Sequence, residues 1–490
     1  MENNFEFDRK LDLKLILSIM STALLALMGI IVETSMNVSF PTLMSEFDIS
    51  TDIVQWCTTG YLLALAIMIP SSAFLRETVK MKTLFISANL LFISGTLLCM
   101  LAPAFVFLLI GRVIQAIGTG IALPLMYNIV LEQAPLEKMG FITGIASLIP
   151  GLGPAVGPFV GGLIMKYFGW RMVFAFLLPI LVLSLFAGIY AIRQSSTLKV
   201  RACRANRMPE ENVLAANIAK LDIPGYLFLG VFLVCLILGI NNAGTLGFSS
   251  PVTILFIVGG VIFLILFIMH AKKCDAPIIN LKIFKYKRFV LSLLSIMMFF
   301  MIALGIGLVL PSFGQISLGL DTLQAGVLLI FGCIVGAVFN PLSGRSYDKN
   351  GAVVIMHFSS ICVLAALALY LLTLNNTSTL LMTVIYIPFG FAMGCTIGVM
   401  ITNGLKALPE DLKPFGNATI TTLQQIASAI GTVLASSIMA AEQAKLPDDP
   451  AAGTLNGARY VFILFLCMAA ILFFDNHFAI KKEKESTRRG

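Results

Sequence analysis

Residues 13–40 read LKLILSIMSTALLALMGIIVETSMNVSF, a run in which only Lys14 and Glu33 carry charge. A helix needs roughly 20 apolar residues to cross the hydrocarbon core of a bilayer, and this run exceeds that length. It is also too long for the apolar part of a cleavable signal peptide and ends in no small-residue cleavage site. The run therefore predicts a retained first transmembrane helix.

Similar apolar runs recur along the whole chain of 490 residues, of which 58% are hydrophobic and 12% are charged. Soluble proteins are about 25% charged, so a soluble core does not account for this composition. The predicted spans are 13–40, 54–74, 83–102, 105–131, 139–165, 172–192, 222–241, 251–271, 289–312, 322–343, 352–373, 379–403, 415–440 and 460–479. The sequence thus predicts an all-α integral membrane protein with fourteen transmembrane helices.

The basic residues give the predicted orientation, because Lys and Arg concentrate in the cytoplasmic loops of membrane proteins. With both termini in the cytoplasm, the outside loops hold only Lys166, Arg171, Lys445 and Arg459. Apart from Arg112, the other basic residues fall in cytoplasmic segments. This bias also accounts for the net charge of +8, so the lipid bilayer and not a nucleic acid is the expected partner.

Two charged loops, 193–221 and 272–288, separate the helix pair 222–271 from six spans on either side. The predicted organisation is an N-terminal six-helix bundle in 1–192, the loops and two extra helices in 193–288, a C-terminal six-helix bundle in 289–480 and a cytoplasmic tail in 481–490. Six-helix halves related by repetition are common in secondary transporters, where the substrate site lies between the halves.

Glu33 is the one acidic residue well inside a predicted span, with Asp222, Asp321 and Asp475 at span edges. A carboxylate at the centre of a bilayer costs about 2.5 to 3.5 kcal/mol, so such a group is usually paired, hydrated or protonated. Small and polar residues recur with it on one helix face, namely Ser18, Thr22, Ala26, Gly29 and Asn37, and such a face belongs toward the protein interior. Glu33 is therefore a candidate proton-coupling acid; the alternative is a residue that faces lipid headgroups.

Arg112 is permanently charged and lies inside the fourth span, about two helical turns from its outer end. It needs a partner or a water-filled cavity, and Glu33, in the outer half of the first span, is a candidate for that partner. The alternative is a side chain that extends outward to the interface.

The fifth span contains GPAVGPFVGG from Gly153 to Gly162. Glycine at every fourth residue permits close helix contact, and proline frees backbone carbonyls and gives a kink that can bend during gating. Close packing without gating is the alternative interpretation.

These residues carry a family resemblance. The stretch from Gly153 to Gly162 resembles the antiporter motif of the major facilitator superfamily. The motif residues are Gly153, Pro154, Gly157, Pro158, Gly161 and Gly162. Arg112, Gln115, Gly118 and Gly120 resemble its fourth-helix motif, with Ala116 at a usual glycine. In the loop expected after span ten, Gly344, Arg345, Asp348 and Gly351 resemble its loop motif, whereas Ala73, Glu77 and Lys80 depart from the repeat of that motif after span two.

The chain is similar to the drug:H+ antiporter-2 group in its fourteen spans and in several residues. These are Gln55 and Trp56 before the second helix, Tyr61 within it, and Trp170-Arg171 before the sixth. Members carry an Asp in the first helix where this chain has Glu33, followed by Thr34 and Asn37. The resemblance implies a major facilitator fold with two six-helix bundles plus two additional central helices. It also implies gating by the glycine motif and by the cytoplasmic loop that contains Glu77.

Other polar and aromatic positions are candidates for a substrate cavity, although packing is an alternative for each. They are Thr34, Asn37, Gln55, Trp56, Tyr61, Gln115, Tyr127, Asn128, Ser312, Gln315, Asn417, Gln424 and Gln425. The nine cysteines show no CxxC pair, and no His or Cys spacing suits zinc. No metal and no cofactor other than the proton is therefore expected.

The predicted function is proton-coupled multidrug efflux by alternating access in a bacterial cytoplasmic membrane, with drug-like amphipathic substrates that are often cationic. A transporter of narrow specificity for one metabolite or antibiotic is the alternative. A membrane enzyme or a sensor is disfavoured, because no HExxH motif, paired carboxylates or nucleophile constellation occurs within the spans. A monomer is expected.

Overall fold

The computed structural model describes residues 12–135, 142, 146, 149–150, 153–192, 222–247, 249–274, 277–350, 352–409 and 412–487. These residues form helices and turns, with no strand among them. We number the long helices α1 Leu13–Phe47, α2 Trp56–Thr78, α3 Met81–Met100, α4 Phe105–Gln133, α5 Gly153–Phe168, α6 Trp170–Ala191, α7 Ile223–Leu246, α8 Pro251–Lys273, α9 Lys287–Ile316, α10 Thr322–Asn350, α11 Ala352–Thr373, α12 Thr379–Lys406, α13 Lys413–Lys445 and α14 Pro450–Thr487. The all-α prediction is confirmed.

Thirteen described helices are long and apolar enough to cross a membrane, and the shorter apolar helix Val156–Phe168 adds a further segment. The first part of the predicted fifth span, 139–165, falls largely outside the described residues. Two predicted loops are wrong in part: α2 continues through Thr78 and α10 through Asn350. Both segments extend the preceding helix because no proline or positive-φ residue interrupts it there.

The helix contacts repeat with an offset of eight. In the first bundle α1 packs on α5 and α6, α2 on α4, and α3 on α4 and α6. In the second bundle α9 packs on α13 and α14, α10 on α12, and α11 on α12 and α14. The same offset relates the two main contacts between the bundles, α5 with α10 and α2 with α13. The two six-helix bundles of the predicted fold are thus confirmed as repeats of one packing pattern.

The remaining pair, α7 and α8, packs on itself, and α7 also contacts α13 and, less extensively, α2. Burial separates it from the bundle centre: 67% of the most apolar window of α1 is buried, against 17% for α8. We call α7 and α8 the accessory pair. Its exposed apolar surface is the kind that faces lipid.

The two ends of the bundle can be named by residues. We call the end where α1 stops the Phe47 end. Asp48 closes α1 there in the left-handed conformation, with φ of 50°. The Phe47 ring packs against Phe105 and Trp170, at ring-centre distances of 6.0 and 5.9 Å, which brings the starts of α4 and α6 to the same end.

Candidate functional site

Glu33 is buried in the middle of the first bundle, with 8% of its surface exposed. Its helix approaches α2 and α4 closely one turn earlier, because a Cβ at Gly29 would lie 2.5 Å from Thr119 Oγ1 and 2.9 Å from Tyr61 Oη. Asp222 is the other buried acid among the described side chains, and it lies before α7 at a helix end. Glu33 is therefore the one described carboxyl buried within the length of a membrane helix.

Arg112 is completely buried on α4. Its Nε donates to the carbonyl oxygen of Cys57 at 3.0 Å, and its Nη1 donates to Gln115 Oε1 at 3.1 Å. The guanidinium carbon lies 4.2 Å from the centre of the Tyr61 ring. Nη2 is buried and has no hydrogen-bond partner among the described residues. The side chain thus points into the protein and does not extend to the interface.

Glu33 and Arg112 are neighbours without a direct ion pair. No N···O distance of 4 Å or less joins them in the described part of the chain. They are nevertheless close enough for Arg112 to act electrostatically on the Glu33 carboxyl, and Tyr61 lies within reach of both charges. The site therefore holds one acid and one guanidinium that share a low-dielectric pocket, with a hydrogen-bond donor of Arg112 still available.

A ladder of hydrogen bonds fixes the far side of Arg112. Gln115 accepts from Arg112 and donates through Nε2 to Thr96 Oγ1 at 2.9 Å. Tyr61 Oη donates to Thr119 Oγ1 at 2.9 Å, and Thr119 Oγ1 donates to the carbonyl oxygen of Gln115 at 3.2 Å. These bonds join α2, α3 and α4, so they hold the guanidinium in one orientation.

The predicted cavity residues do not share one environment. Asn37 is buried, accepts from Thr58 Oγ1 at 3.0 Å and faces Gly307 of α9 across the gap between the bundles. Gln55 is fully engaged in hydrogen bonds at the Phe47 end, and Trp56 packs against the cluster shared by α2, α7 and α13. Asn128 and Gln424 are half-buried, whereas Tyr127 and Asn417 are exposed.

The glycine motif places α5 between α1 and α10. Ser35 Oγ donates to the carbonyl oxygen of Gly157 at 2.7 Å, and a Cβ on Gly157 would overlap Thr34 Oγ1. On the opposite face Thr322 Oγ1 donates to the carbonyl oxygen of Gly162 at 3.1 Å, and a Cβ on Gly162 would overlap the Thr322 carbonyl oxygen. The motif therefore serves a contact within the first bundle and a contact between the bundles.

The remaining motif residues divide between these faces or lie outside the description. Gly153 and Gly161 face α1, and the Pro158 carbonyl approaches Gly326 of α10. The side chains of Pro154, Glu77, Arg345 and Asp348, the surroundings of Gly344, and the whole of Gly351 lie outside the described part of the structure. Gating by the segment around them stays a prediction.

Polar contacts close the gap between the bundles at the Phe47 end. Lys166 Nζ lies 2.8 Å from Asp321 Oδ2, one helical turn beyond the Gly162 contact. Gln315 Nε2 donates to the Val38 carbonyl oxygen at 3.0 Å. Thr51 Oγ1 donates to Gln443 Oε1 at 2.8 Å. The two bundles are thus joined along α5–α10, α1–α9 and the start of α2 with α13.

The accessory pair is held by buried amides at the same end. Asn241 Oδ1 on α7 accepts from Gln55 Nε2 at 2.8 Å and from Ser437 Oγ at 3.2 Å, and Ser436 Oγ donates to Gln55 Oε1. The sequence did not predict a role for Asn241, Thr96 or Thr119. Each is a small polar residue in an apolar helix, and no motif or charge distinguishes it from a packing residue.

Comparison with known proteins agrees with this architecture. The Major Facilitator Superfamily profile matches residues 22–432. The lincomycin resistance protein LmrB of Bacillus subtilis (strain 168) is 35% identical over 486 residues, covering 96% of each chain. LmrB of Listeria monocytogenes serovar 1/2a is 34% identical over 455 residues, covering 90% of this chain and 92% of that protein. The multidrug resistance protein B homolog of Mycobacterium tuberculosis is 25% identical over 440 residues, covering 88% of this chain and 77% of that protein.

Solved structures share the fold at low sequence identity. The xylose transporter XylE from E. coli superimposes with a TM-score of 0.61 at 14% identity, covering 94% of this chain and 98% of XylE. A bacterial homolog of the lysosomal transporter Spinster gives a TM-score of 0.64 at 14% identity, covering 96% and 97%. With the repeated helix packing and the matched profile, the chain belongs to the major facilitator superfamily, within the drug:H+ antiporter-2 group that its motifs resemble.

Proposed function

We propose that this transporter exports drug-like amphipathic compounds from a bacterial cell in exchange for protons. The observation that carries the proposal is the buried carboxyl of Glu33 beside the buried guanidinium of Arg112. A membrane protein keeps such a pair at a cost in stability, so an acid at this place is a functional group by default. The names of the relatives, lincomycin resistance and multidrug resistance, support drug efflux.

Two effects act on Glu33 in opposite directions. Burial favours the neutral acid, whereas the positive charge of Arg112 favours the carboxylate. A change in hydration or in the distance to Arg112 therefore shifts the balance between the neutral acid and the carboxylate. Tyr61 contacts the Arg112 guanidinium with its ring, and its hydroxyl is tied to α4 by the hydrogen bond to Thr119. A movement of α2 relative to α1 and α4 therefore displaces Arg112 and changes the charge environment of Glu33.

The contacts of α1 and α5 support transport by alternating access. Glu33 shares α1 with Ser35, which is bonded to α5, and α5 carries the Gly162 contact to the opposite bundle. Protonation changes the charge on α1, and α1 and α5 move as a unit against α10. With the Phe47 end outside, as the basic residues predict, the present arrangement is closed to the outside. The proton enters from outside after this end opens, and its release inside accompanies substrate loading.

The energy is sufficient with one coupling acid. Exchange of one proton for a monovalent cation is electroneutral, so the pH gradient alone drives it. Export of a neutral compound also uses the membrane potential, and 100 mV supplies about 2.3 kcal/mol per charge, equivalent to roughly a fiftyfold concentration gradient. A single buried acid among the described helix residues also suits an exporter of narrow specificity. The relatives named for resistance to one antibiotic favour such an exporter as the second candidate.

The test is transport by purified protein in liposomes with an imposed pH gradient. Glu33→Gln keeps the shape of the side chain and removes its titration, so uptake driven by the pH gradient should fall to the level of empty liposomes. Substrate-induced exchange without a gradient should persist. Glu442→Gln, on α13 away from the site, is the matched control and should transport as the native chain does.

The pattern of results separates the candidates. Native-like gradient-driven transport by Glu33→Gln would move proton coupling to another residue. Transport of lincomycin without transport of a panel of lipophilic cations would favour the narrow-specificity exporter, and competition between unrelated compounds would favour the multidrug one.

A further inference from the structure

A cluster of three potential metal ligands lies at the end of the accessory pair that is opposite the Phe47 end. A carboxylate oxygen of Asp222, a ring nitrogen of His270 and the sulfur of Cys274 all lie within 4.8 Å of one another. Asp222 precedes α7, and the other two residues end α8. We propose that Asp222, His270 and Cys274 bind a zinc ion that clips the start of α7 to the end of α8.

The donor set selects the metal. One imidazole, one thiolate and one carboxylate are ligands that Zn²⁺ accepts together, whereas Mg²⁺ and Ca²⁺ take oxygen ligands. Three protein ligands with water in the fourth position is the coordination that catalytic zinc sites use. His270 and Cys274 are both partly exposed, so water reaches the metal position.

Local structure brings the three donors together. His270 and Cys274 are four residues apart at the end of one helix, which puts their side chains on the same face. The Cys274 N–H donates to the His270 carbonyl oxygen at 3.0 Å, so the last turn is intact. Because α7 and α8 are antiparallel neighbours, the residue that begins α7 meets this face.

Asp222 is oriented in the way that metal-binding carboxylates are. Its side chain is only 2% exposed. Oδ1 accepts from the Gly225 N–H at 2.9 Å, and Oδ2 accepts from the Ile278 N–H at 3.4 Å. Hydrogen bonds of this kind fix the direction of a ligand and tune its affinity. They also tie the segment after α8 to the cluster.

The present spacing needs only a small adjustment. His270 Nε2 lies 2.5 Å from Asp222 Oδ1. In a tetrahedral zinc site with bonds of about 2.0 to 2.3 Å, neighbouring ligand atoms are about 3.3 to 3.8 Å apart. Zinc would therefore replace the His270–Asp222 hydrogen bond and move the two atoms apart by about 1 Å. A capping hydrogen bond alone explains Asp222 and His270, but it gives no role to the converging Cys274 sulfur.

The experiment measures metal binding by the full chain in detergent after chelator treatment. The native chain should bind one zinc per chain more than Cys274→Ser, and its Co²⁺ complex should show a thiolate charge-transfer absorption that Cys274→Ser lacks. His270→Gln and Asp222→Asn should weaken zinc binding by at least about tenfold. Asp222→Asn keeps an oxygen for the Gly225 cap, so its fold should be preserved. Cys235→Ser, within α7, is the control that keeps native binding.

A second readout concerns the clip itself. Zinc should raise the melting temperature of the native chain and of Cys235→Ser, because a ligand that binds only the folded state stabilises it. It should leave Cys274→Ser unchanged. Equal zinc content and equal zinc-dependent melting in the native chain and Cys274→Ser would overturn the proposal. A cobalt spectrum without a contribution from Cys274 would overturn it as well, even if the His270 variant failed to fold.

Discussion

The Arg112 guanidinium lies 4.2 Å above the centre of the Tyr61 ring, while the Tyr61 hydroxyl donates to Thr119 on the same helix as Arg112. The face of the Tyr61 ring thus contacts the Arg112 charge, and the Tyr61 hydroxyl holds the ring in place. A cation over an aromatic face gains about 2 kcal/mol when both groups are removed from water. Tyr61, which sequence reasoning assigned to the substrate cavity, is therefore placed to control Arg112.

This relationship predicts different outcomes for two substitutions of Tyr61. Tyr61→Phe keeps the ring and loses one buried hydrogen bond, so the unfolding free energy should fall by about 1 kcal/mol while transport persists. Tyr61→Leu removes the ring and should lower the gradient-driven rate by at least about tenfold. Initial rates in liposomes and thermal unfolding in detergent measure the two effects. Equal rates in the two variants would show that the ring face does not support Arg112.

The Gly162 contact predicts a conformational effect. In Gly162→Ala the new methyl group meets the Thr322 carbonyl oxygen, a backbone atom that cannot rotate away. Overpacking of this kind costs about 1 to 3 kcal/mol, and here the cost falls on the contact between the bundles. The Phe47 end should open, as measured by the spin-label distance between its two sides, and transport should slow.

Gly60→Ala is the matched control, because a Cβ at Gly60 meets nothing within 4 Å. It should leave the distance distribution and the transport rate unchanged. If both variants gave native distances, the α5–α10 contact would not set the position of the bundles.

The sequence predicted the membrane helices and the two buried charges for the same physical reason. A run of about 20 apolar residues has few alternatives to a helix across a bilayer, and a charge within such a run is costly enough to stand out. Glu33 and Arg112 were therefore visible, and both lie in the protein interior. The glycine motif was visible because it departs from ordinary helix composition.

The partners of these residues were not visible. Thr96 and Thr119 are common residues in membrane helices, and their value comes from the register of α3 and α4, which the chain does not display locally. Asp222 and His270 are 48 residues apart, so no spacing rule joins them to a single site. Gln55 was a candidate for the cavity because its side chain is polar, yet Asn241 and Ser436 engage its amide.

The ion pair of Lys166 and Asp321 predicts a pH range. The hydrogen bond from Lys166 holds the pKa of the Asp321 carboxyl below its ordinary value of 3.8. A lowered pKa means that the pair stabilises the closed Phe47 end above the ordinary pKa and is lost as the pH falls through the lowered value. Between pH 5 and 8 the ion pair should stay intact. It therefore stabilises the closed Phe47 end without responding to a physiological proton gradient.

Asp321→Asn should therefore shift the equilibrium toward an open Phe47 end by the same factor at pH 5 and at pH 8. Both side chains are more than a third exposed, so the factor should be at most about fivefold. Spin-label distances across the Phe47 end at the two pH values measure it. A shift that is present at pH 8 and absent at pH 5 would contradict the assignment, and Asp52→Asn, near the start of α2, is the control.

Asn241 predicts that the accessory pair takes part in closing the bundle. Its side-chain oxygen accepts from Gln55 and Ser437, which belong to opposite bundles, so one residue of α7 bridges the gap that the α5–α10 contact closes on the other side. Asn241→Leu removes both of these hydrogen bonds, and hydrogen bonds between membrane helices are worth about 0.6 kcal/mol on average. The variant should lose roughly 1 kcal/mol of unfolding free energy and open the Phe47 end between α2 and α13.

Asn242→Leu, at the next and less buried position of α7, is the control and should leave the distance between α2 and α13 as it is in the native chain. If both variants kept the native distance between α2 and α13, α7 would only move with the second bundle and would not help to close the Phe47 end. The two bundles would then move as in transporters that lack an accessory pair.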